Sequence, residues 1–555
     1  MIKIKIDNRV YIAEIGETIL DVAKREHIDI PTLCYLKGEN PTSNCRMCLV
    51  EVVGQRNLVT ACSFKVYDGM EVITNSVKVF SARKMNLELL LSNHNYDCKN
   101  CVREGNCDLA KYAQEYNATG FLFNGEKTQS ALDDSNACIV RDSSKCILCK
   151  KCTQVCSKRQ EVHAICETKR GFSTRVGCAF ENKLKNSTCV GCGQCIMVCP
   201  TGALHESFNI MQLEEILSDK SKHKVVAPAP AVRVALLENF QIDPVMAEQL
   251  IPSIFRKLGF DKVFDINFGA DLTIIEETAE FLERYKSKMN LPMFTSCCPA
   301  WVDYVNKFYP EIKKNVSSCK SPLMMFGAIV KSYYAEKINL SADKISMVSV
   351  MPCTAKKGER LLDNDKDVDC VITVRELLYL IKKHGIDVTR LKPSKFDSVL
   401  GESSGAGVIF GASGGVMEAA IRTIADKVYN QSIQNIDYTS VRGFDDTKFA
   451  SIKLGGDVVN IAVVSGLGNA KRLLEKIKSK EIDVQFVEVM SCPGGCINGG
   501  GMPLVKDTKL IESRMKGLYK LDSARNIRKS HENKEVQEFL KWQRSAKKKT
   551  KLHTR

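Results

Sequence analysis

The chain has 555 residues, 44% of them hydrophobic and 26% charged, with a formal net charge of +15. This length predicts about four domains, and the composition is that of folded globular protein, which excludes a disordered, collagen-like or membrane-spanning chain. The N-terminus, MIKIKIDNRVYIAEIG, alternates like a strand and lacks the basic and then apolar order of a secretory signal. The charge is uneven. Residues 521–555 hold eleven Lys or Arg against four Asp or Glu, a net of +7. The segment after about residue 535, including Lys547–Lys549, reads as a mobile basic tail with no assigned role. Neither nucleic acid nor a membrane is expected as a partner, whereas an acidic protein suits the balance. The 25 cysteines fall into C-x-x-C clusters in a long chain, which points to thiolate–metal chemistry in a reducing, cytoplasmic compartment.

Residues 1–78 read as a small β-rich domain. Ile2, Ile4 and Ile6 alternate, Asp7-Asn8 can turn the chain into Val10–Ile12, and Thr18 with Asp21 marks a helix start. Residues 79–125 read as short helices around a Cys/His cluster. Residues 137–210 contain an internal repeat: Cys146–Cys156 and Cys189–Cys199 share C-x-x-C-x-x-C-x-x-x-C at an offset of 43. A repeat this short relies on inserted clusters for its stability. From 211 to about 535, strand-like runs (Val225–Ala227, Val263–Ile266, Met347–Met351, Phe486–Met490) alternate with amphipathic stretches, the α/β pattern of a mostly parallel sheet. Three Cys motifs follow such runs directly, and ligand sites in α/β sheets lie beyond the carboxyl ends of strands, so these distant cysteines are expected to converge.

Four sets of ligands follow. Cys34, Cys45, Cys48 and Cys62 are loop-borne thiolates that suit zinc or a 2Fe–2S cluster; the β-grasp look of the surrounding segment favours the latter. His94, Cys98, Cys101 and Cys107 fit zinc by donor type alone, but their place between a ferredoxin-like segment and a two-cluster repeat favours a 4Fe–4S cluster. His94 and Cys98 are read as one helical turn apart. In the repeat, the first three Cys of each copy hold one cubane and the fourth reaches to the other. Cys146, Cys149 and Cys152 therefore go with Cys199, and Cys189, Cys192 and Cys195 with Cys156. The last set, Cys297-Cys298, Cys353 and Cys492-Pro-Gly-Gly-Cys496, offers five thiols where a cubane needs four. The spare thiol, at an ordinary pKa near ~8.5, can exchange protons near neutrality. Cys138, Cys166, Cys178, Cys319 and Cys370 remain and read as ordinary buried thiols.

The segments Thr295-Ser-Cys-Cys-Pro-Ala-Trp301, Met351-Pro-Cys-Thr-Ala-Lys-Lys357 and Ser491-Cys-Pro-Gly-Gly-Cys-Ile-Asn-Gly-Gly-Gly501 resemble the three signatures of iron-only (FeFe) hydrogenases. The order of the upstream motifs resembles the monomeric clostridial type with four accessory clusters. The resemblance implies one 2Fe–2S cluster, three accessory 4Fe–4S clusters and an H-cluster, a 4Fe–4S cubane joined to a diiron unit with CO, cyanide and a bridging azadithiolate. It implies Cys298, Cys353, Cys492 and Cys496 as cubane ligands, Cys496 as the bridge, and Cys297 as the proton-donating thiol; spacing alone does not choose between Cys297 and Cys298.

It also implies a proton relay through Glu277, Ser317, Glu280 and Arg284, of which Glu277, Glu280 and Arg284 share a helical face. Lys356 is implied as donor to a cyanide, and Pro230, Met351 and Met490 as walls of the diiron pocket. Ala231 and Leu323 stand where many members have Ser and some have Gln, which makes the pocket drier. The expected activity is reversible hydrogen oxidation and proton reduction. Its expected carrier is a ferredoxin or flavodoxin, the diiron unit comes from maturation proteins, and the expected state is a monomer. No flavin or NAD domain is evident, and the Gly405–Gly415 stretch matches no nucleotide loop, so it reads as tight packing. Competing readings are a hydrogenase-like assembly or electron-transfer protein without a diiron unit, a subunit like the large cluster-bearing subunit of respiratory complex I, and a hydrogen sensor. The presence of Cys297, Lys356 and Glu277 and of the three C-terminal motifs argues against them.

Overall fold

The computed structural model describes residues 1–555 apart from 40, 129–130, 363, 430–435, 455, 506–507, 547–548 and 555. The chain divides into two compact units: Met1–Ser157, His163–Ser187 and Val198–His205 in one, and Lys158–Val162, Thr188–Met197 and Glu206–Arg555 in the other. The cysteine repeat is thereby shared, with Cys189, Cys192 and Cys195 in the second unit and Cys199 returned to the first.

The first unit opens on a β-hairpin, Ile2–Ile6 with Arg9–Ala13. Asp7 and Asn8 both take positive φ (45° and 68°), the twist a two-residue hairpin needs. Glu71–Ile73 adds to Ile2–Ile6 in parallel, and Leu49–Val52 and Val59–Thr60 complete a five-stranded sheet. The Ile19–Arg25 helix starts at a full Thr18/Asp21 capping box and lays Leu20 and Val22 on that sheet with Ile4, Ile6, Val50 and Val72. Helices Val77–Ser92 and Asp108–Glu115 follow. The first of them ends two residues before His94, so His94 and Cys98 lie in a loop and not on successive helical turns. The loop is held instead by the His94 N–H, which donates to the Leu91 carbonyl at 3.0 Å, and by the Asn95 N–H, which donates to the Ser144 carbonyl at 2.9 Å. One apolar cluster encloses Cys34, Cys45 and Cys149 together with Leu87, Leu91 and Leu109.

In the second unit the strands form two four-stranded sheets where one was expected. Lys262–Val263, His223–Pro228, Ile345–Met351 and Cys370–Thr373 pair in parallel. Met293–Phe294, Phe486–Met490 and Asp457–Ser465 also pair in parallel, and Thr447–Leu454 closes that sheet antiparallel. Runs such as Ile345–Met351, buried at every position, show that a strand is covered on both faces but not which strand it pairs with. The 21-residue helix Asn267–Ser287 borders both cores. Phe268 and Leu272 enter one, and Ala270, Ile274 and Phe281 enter the other. The Gly405–Gly415 stretch is close packing: a Cβ at Gly414 or Gly415 would meet a backbone carbonyl oxygen at 1.9 or 1.8 Å.

The C-terminal segment, expected as a loose tail, is a docked element. Asn533 caps the Lys534–Ser545 helix, whose Val536 and Phe539 are buried. Further on, Lys320 donates its N–H to the Leu552 carbonyl and Cys319 bridges to His553. The basic residues face outward from an apolar stripe that net charge alone hides. Lys547–Lys549 falls largely outside the described residues. Phe539 packs against Phe268, Tyr333 and Trp542. Phe539→Ala should therefore cost about 3–5 kcal/mol of stability in this unit. Anaerobic urea unfolding followed by Trp fluorescence reads it, since both tryptophans, Trp301 and Trp542, lie in this unit.

Candidate functional site

Three strand ends deliver the fourth cysteine set. Cys297 and Cys298 follow Met293–Phe294, Cys353 follows Ile345–Met351, and Cys492 follows Phe486–Met490. The thiols of Cys298, Cys353, Cys492 and Cys496 lie within one another's electrostatic reach. Burial, and after it the charge of the neighbouring sulfurs, pushes each of the last three up, Cys353 to about 11. Ser491 touches two of them, accepting from Cys298 at 3.4 Å and lying 3.7 Å from the Cys492 sulfur. Gly495 has φ 101°, and a Cβ there would strike the Ser413 nitrogen at 2.5 Å, so only glycine turns the chain between Cys492 and Cys496.

Cys297 stands beside this group. Its thiol is not at an ordinary pKa, as its sequence suggested, but well above it, first through burial and then through the charge of Glu277. Lys356 is 7% exposed. Its ammonium donates to the Cys297 carbonyl at 3.2 Å and to Glu359 at 2.8 Å. Burial pulls the Lys356 pKa down, but Glu359 and the thiols of Cys353 and Cys297 raise it overall, so the cation is kept. Pro230, Met351, Met490, Ala231 and Leu323 are all buried.

Behind Cys297 runs a chain of acids. Glu277 is 0% exposed, accepts from the Ser296 N–H at 3.2 Å and has no partner on Oε2. Burial pushes it up to about 7. The Ser317 hydroxyl donates to Glu280 at 2.9 Å and stands close enough to Glu277 to hold it lower than burial alone would. Glu280 also accepts from the Ser318 N–H and pairs with Arg284, which donates in turn to the Asn315 and Val316 carbonyls. Beyond Glu280 and Arg284 opens a surface cavity of about 520 Å³. Sequence reasoning missed what completes this end: Cys319, left as an ordinary thiol, lies 3.9 Å from the Glu280 carboxylate.

Three of the accessory sets lie within the first unit. Cys146, Cys149, Cys152 and Cys199 line one largely apolar cavity. Burial first and the Cys199 sulfur after it push Cys146 up to about 11 and Cys149 up to about 12. Cys34 sits against Cys45 and Cys62 against Cys48; the partner thiols hold Cys34 down at about 5 and Cys62 at about 7. Cys101 reaches both Cys98 and Cys107. His94 is buried, burial lowers it to about 4, and its Nδ1 has no hydrogen-bond partner. A neutral imidazole with an unpartnered nitrogen is the form that binds metal.

In the second unit the Cys189–Cys195 loop is seated on the Cys353 and Cys492 segments. Thr354 donates to the Gly191 carbonyl at 2.7 Å, and Gln194 donates to the Asn498 carbonyl at 3.0 Å. Cβ atoms at Gly193 and Gly500 would each meet the other's Cα, at 2.8 and 2.7 Å. Thr354 and Ser491 lie within the quoted segments and Gln194 within the repeat, but the contact each makes is with a residue far along the chain, which the sequence does not show.

The comparisons agree with this geometry. Residues 222–500 match the iron only hydrogenase large subunit, C-terminal domain, and 508–555 match the iron hydrogenase small subunit. Residues 1–77 match a 2Fe-2S iron-sulfur cluster binding domain, 83–120 the NADH-ubiquinone oxidoreductase-G iron-sulfur binding region, and 184–205 a 4Fe-4S binding domain. The chain is 43% identical to the NADP-reducing hydrogenase subunit HndD of Solidesulfovibrio fructosivorans, over 96% of this chain and 94% of that one. It is 39% identical to iron hydrogenase 1 of Clostridium pasteurianum, over 93% and 92%. The apo FeFe-hydrogenase HydA1 of Chlamydomonas reinhardtii superposes with a TM-score of 0.54 at 38% identity, over 60% of this chain and 94% of that one. A cytosolic iron-sulfur assembly component 3 from Mus musculus is 31% identical, over 59% of this chain and 73% of its own.

The chain belongs to the iron-only hydrogenase family. Within it, this is a cluster-rich enzyme that oxidises hydrogen and reduces protons at an H-cluster and moves electrons through 2Fe–2S and 4Fe–4S clusters. The assembly-protein reading is the weaker one, since that relative matches a smaller share of the chain at lower identity.

With burial pushing Glu277 up to about 7, its carboxyl should change protonation near neutrality. A carboxylic acid infrared band should disappear as pH rises through that value, and Glu277→Gln should remove the titration. A band lost near the ordinary carboxylate range would contradict the burial argument.

Proposed function

We propose that hydrogen turnover here is gated by Cys297, passing protons between the diiron unit and solvent through Glu277, Ser317, Glu280 and Arg284. The observation that carries this reading is the position of Cys297: beside four clustered thiols, with Lys356 on its carbonyl and the Glu277 carboxylate behind it. When bound, the diiron unit supplies the centre at which two protons and two electrons become H2, or the reverse. The chain's own part is to hold that group, exclude water and deliver protons.

Cys298, Cys353, Cys492 and Cys496 would ligate its cubane, with Cys496 as the bridge to a diiron unit bearing CO, cyanide and an azadithiolate. Lys356 has three N–H donors. Cys297 and Glu359 take two, which leaves a third for a cyanide, a charge-assisted anchor. Pro230, Met351 and Met490 would wall the pocket; Ala231 and Leu323 keep it apolar. Proton passage needs one rearrangement. Once Glu280 carries a proton it can donate to the Ser317 oxygen, and the hydroxyl is then free to turn its own proton to the unpartnered Glu277 Oε2. Glu277 at about 7 is balanced to take and give that proton near neutrality.

Electrons would enter at the 2Fe–2S cluster on Cys34, Cys45, Cys48 and Cys62 or the 4Fe–4S cluster on His94, Cys98, Cys101 and Cys107. They would continue over cubanes on Cys146, Cys149, Cys152 and Cys199 and on Cys189, Cys192, Cys195 and Cys156. The enzyme would work in the cytoplasm as a monomer, receive its diiron unit from maturation proteins, and exchange electrons with a small acidic ferredoxin or flavodoxin, which the +15 charge favours. A second reading of the partner rests on the relative named as a subunit of an NADP-reducing hydrogenase, in which a further subunit would take the carrier's place. Hydrogen evolution from reduced ferredoxin that falls with added salt supports the first reading; coupling only through NADPH and a co-purifying subunit supports the second.

Cys297→Ala should lower turnover by about 10²-fold or more, with iron content and the CO and cyanide infrared bands retained. Full turnover in a variant loaded with its diiron unit would refute the gate.

A further inference from the structure

The extended segment after the last helix brings a histidine to the outer end of the acid chain. The Lys320 N–H donates to the Leu552 carbonyl and the Thr554 N–H to the Ser318 carbonyl, both at 2.9 Å, so His553 is fixed opposite Cys319 by backbone pairing on each side. Its Nδ1 lies 2.9 Å from the Ser318 hydroxyl and 3.9 Å from the Cys319 sulfur. The same sulfur lies 3.9 Å from Glu280 Oε2. One donor atom from each of Glu280, Cys319 and His553 thus falls within 4.8 Å of the others. We infer that Glu280, Cys319 and His553 form a zinc-binding site at the mouth of the proton path.

Three features carry the inference. The first is donor type: thiolate, imidazole and carboxylate together suit zinc better than magnesium or calcium, which prefer oxygen alone. The second is spacing. Tetrahedral bonds of about 2.0–2.3 Å put neighbouring donors roughly 3.5 Å apart, so two separations of 3.9 Å need to close by only a few tenths of an ångström. The third is the far side of the ring. His553 Nε2 faces Glu276 Oε2 at 3.4 Å, the carboxylate–histidine arrangement that puts the ring proton on Nε2 and makes Nδ1 the ligating nitrogen, which zinc would take over from the Ser318 hydroxyl. The fourth coordination position faces the cavity lined by Glu276, Glu283 and Arg284, where water completes the shell.

Binding replaces the thiol proton of Cys319, so one proton leaves for each zinc taken up by the neutral His553 ring and a second where that ring is protonated. Zinc on Glu280 Oε2 displaces the Ser317 hydroxyl from the same oxygen. That removes the contact joining the inner and outer halves of the relay, and zinc should slow hydrogen production and oxidation alike. The coordination stands on these distances alone; the effect on turnover rests on the relay proposed above.

The test uses anaerobic, fully loaded enzyme and zinc sulfate. Zinc content after gel filtration and zinc-edge X-ray absorption should show one zinc beyond the iron clusters, with one sulfur and otherwise nitrogen or oxygen neighbours. Hydrogen evolution should fall at least tenfold as that zinc binds. Cys319→Ser and His553→Gln, each measured against its own zinc-free rate, should weaken zinc binding at least tenfold; His553→Gln, at a half-buried position, keeps the test sound if Cys319→Ser disturbs the packing. Zinc with no sulfur neighbour, or equal affinity in all three proteins, overturns the site. Zinc bound through one sulfur with turnover unchanged upholds the site and overturns the relay through Glu280.

Discussion

Burial of thiols governs this molecule. A cysteine taken out of water is pushed to keep its proton, and several sulfurs packed together push one another further, as Cys353, Cys492 and Cys496 do. Such a group is costly as thiolates and chemically idle as thiols, and a bound cation resolves the conflict because it neutralises the charge that burial penalises. The same logic covers the accessory sets, where Cys146 and Cys149 are raised and the His94 ring is held neutral with an unpartnered nitrogen. Folding and cluster loading are therefore linked: the two sheets carry the ligands to one place, and the metal makes that place stable.

The constraint also shapes the proton chemistry. A dry pocket that suits a metal group excludes the water that would carry protons, so a relay of side chains has to cross it. The helix Asn267–Ser287 answers both needs. Its apolar residues enter two cores, while Glu277, Glu280 and Arg284 run from buried to half-buried along its length. Desolvation raises Glu277 toward neutrality, and the Arg284 pairing holds Glu280 in position. One physical effect, the removal of water, thus tunes the relay as well as the metal site.

Much of this was legible in the residues. The Thr18/Asp21 cap and the Asp7-Asn8 turn are local codes, and each formed the element expected of it. The convergence of Cys298, Cys353, Cys492 and Cys496 followed from their places after strand-like runs. Other features were hidden. The loop at His94 was read as helix because four-residue spacing imitates a turn, although the helix has already ended at Ser92. The C-terminal segment was read as a tail because its basic count outweighs two apolar residues, Val536 and Phe539, that dock it. Cys319 and His553 are 234 residues apart, and no local pattern links them.

By itself the sequence determined what could be written within a few residues: ligand types and their spacing, helix caps, turns, and the one thiol too many in the last set. Only the tertiary structure decided which strands share a sheet, which sulfurs face the same cavity, how far desolvation moves Glu277 and Cys297, and that a distant histidine closes the mouth of the acid chain. The division has a physical cause. Spacing and capping are short-range preferences of the backbone, whereas strand pairing, burial and the electrostatics they control are sums over residues that meet only after the chain has folded.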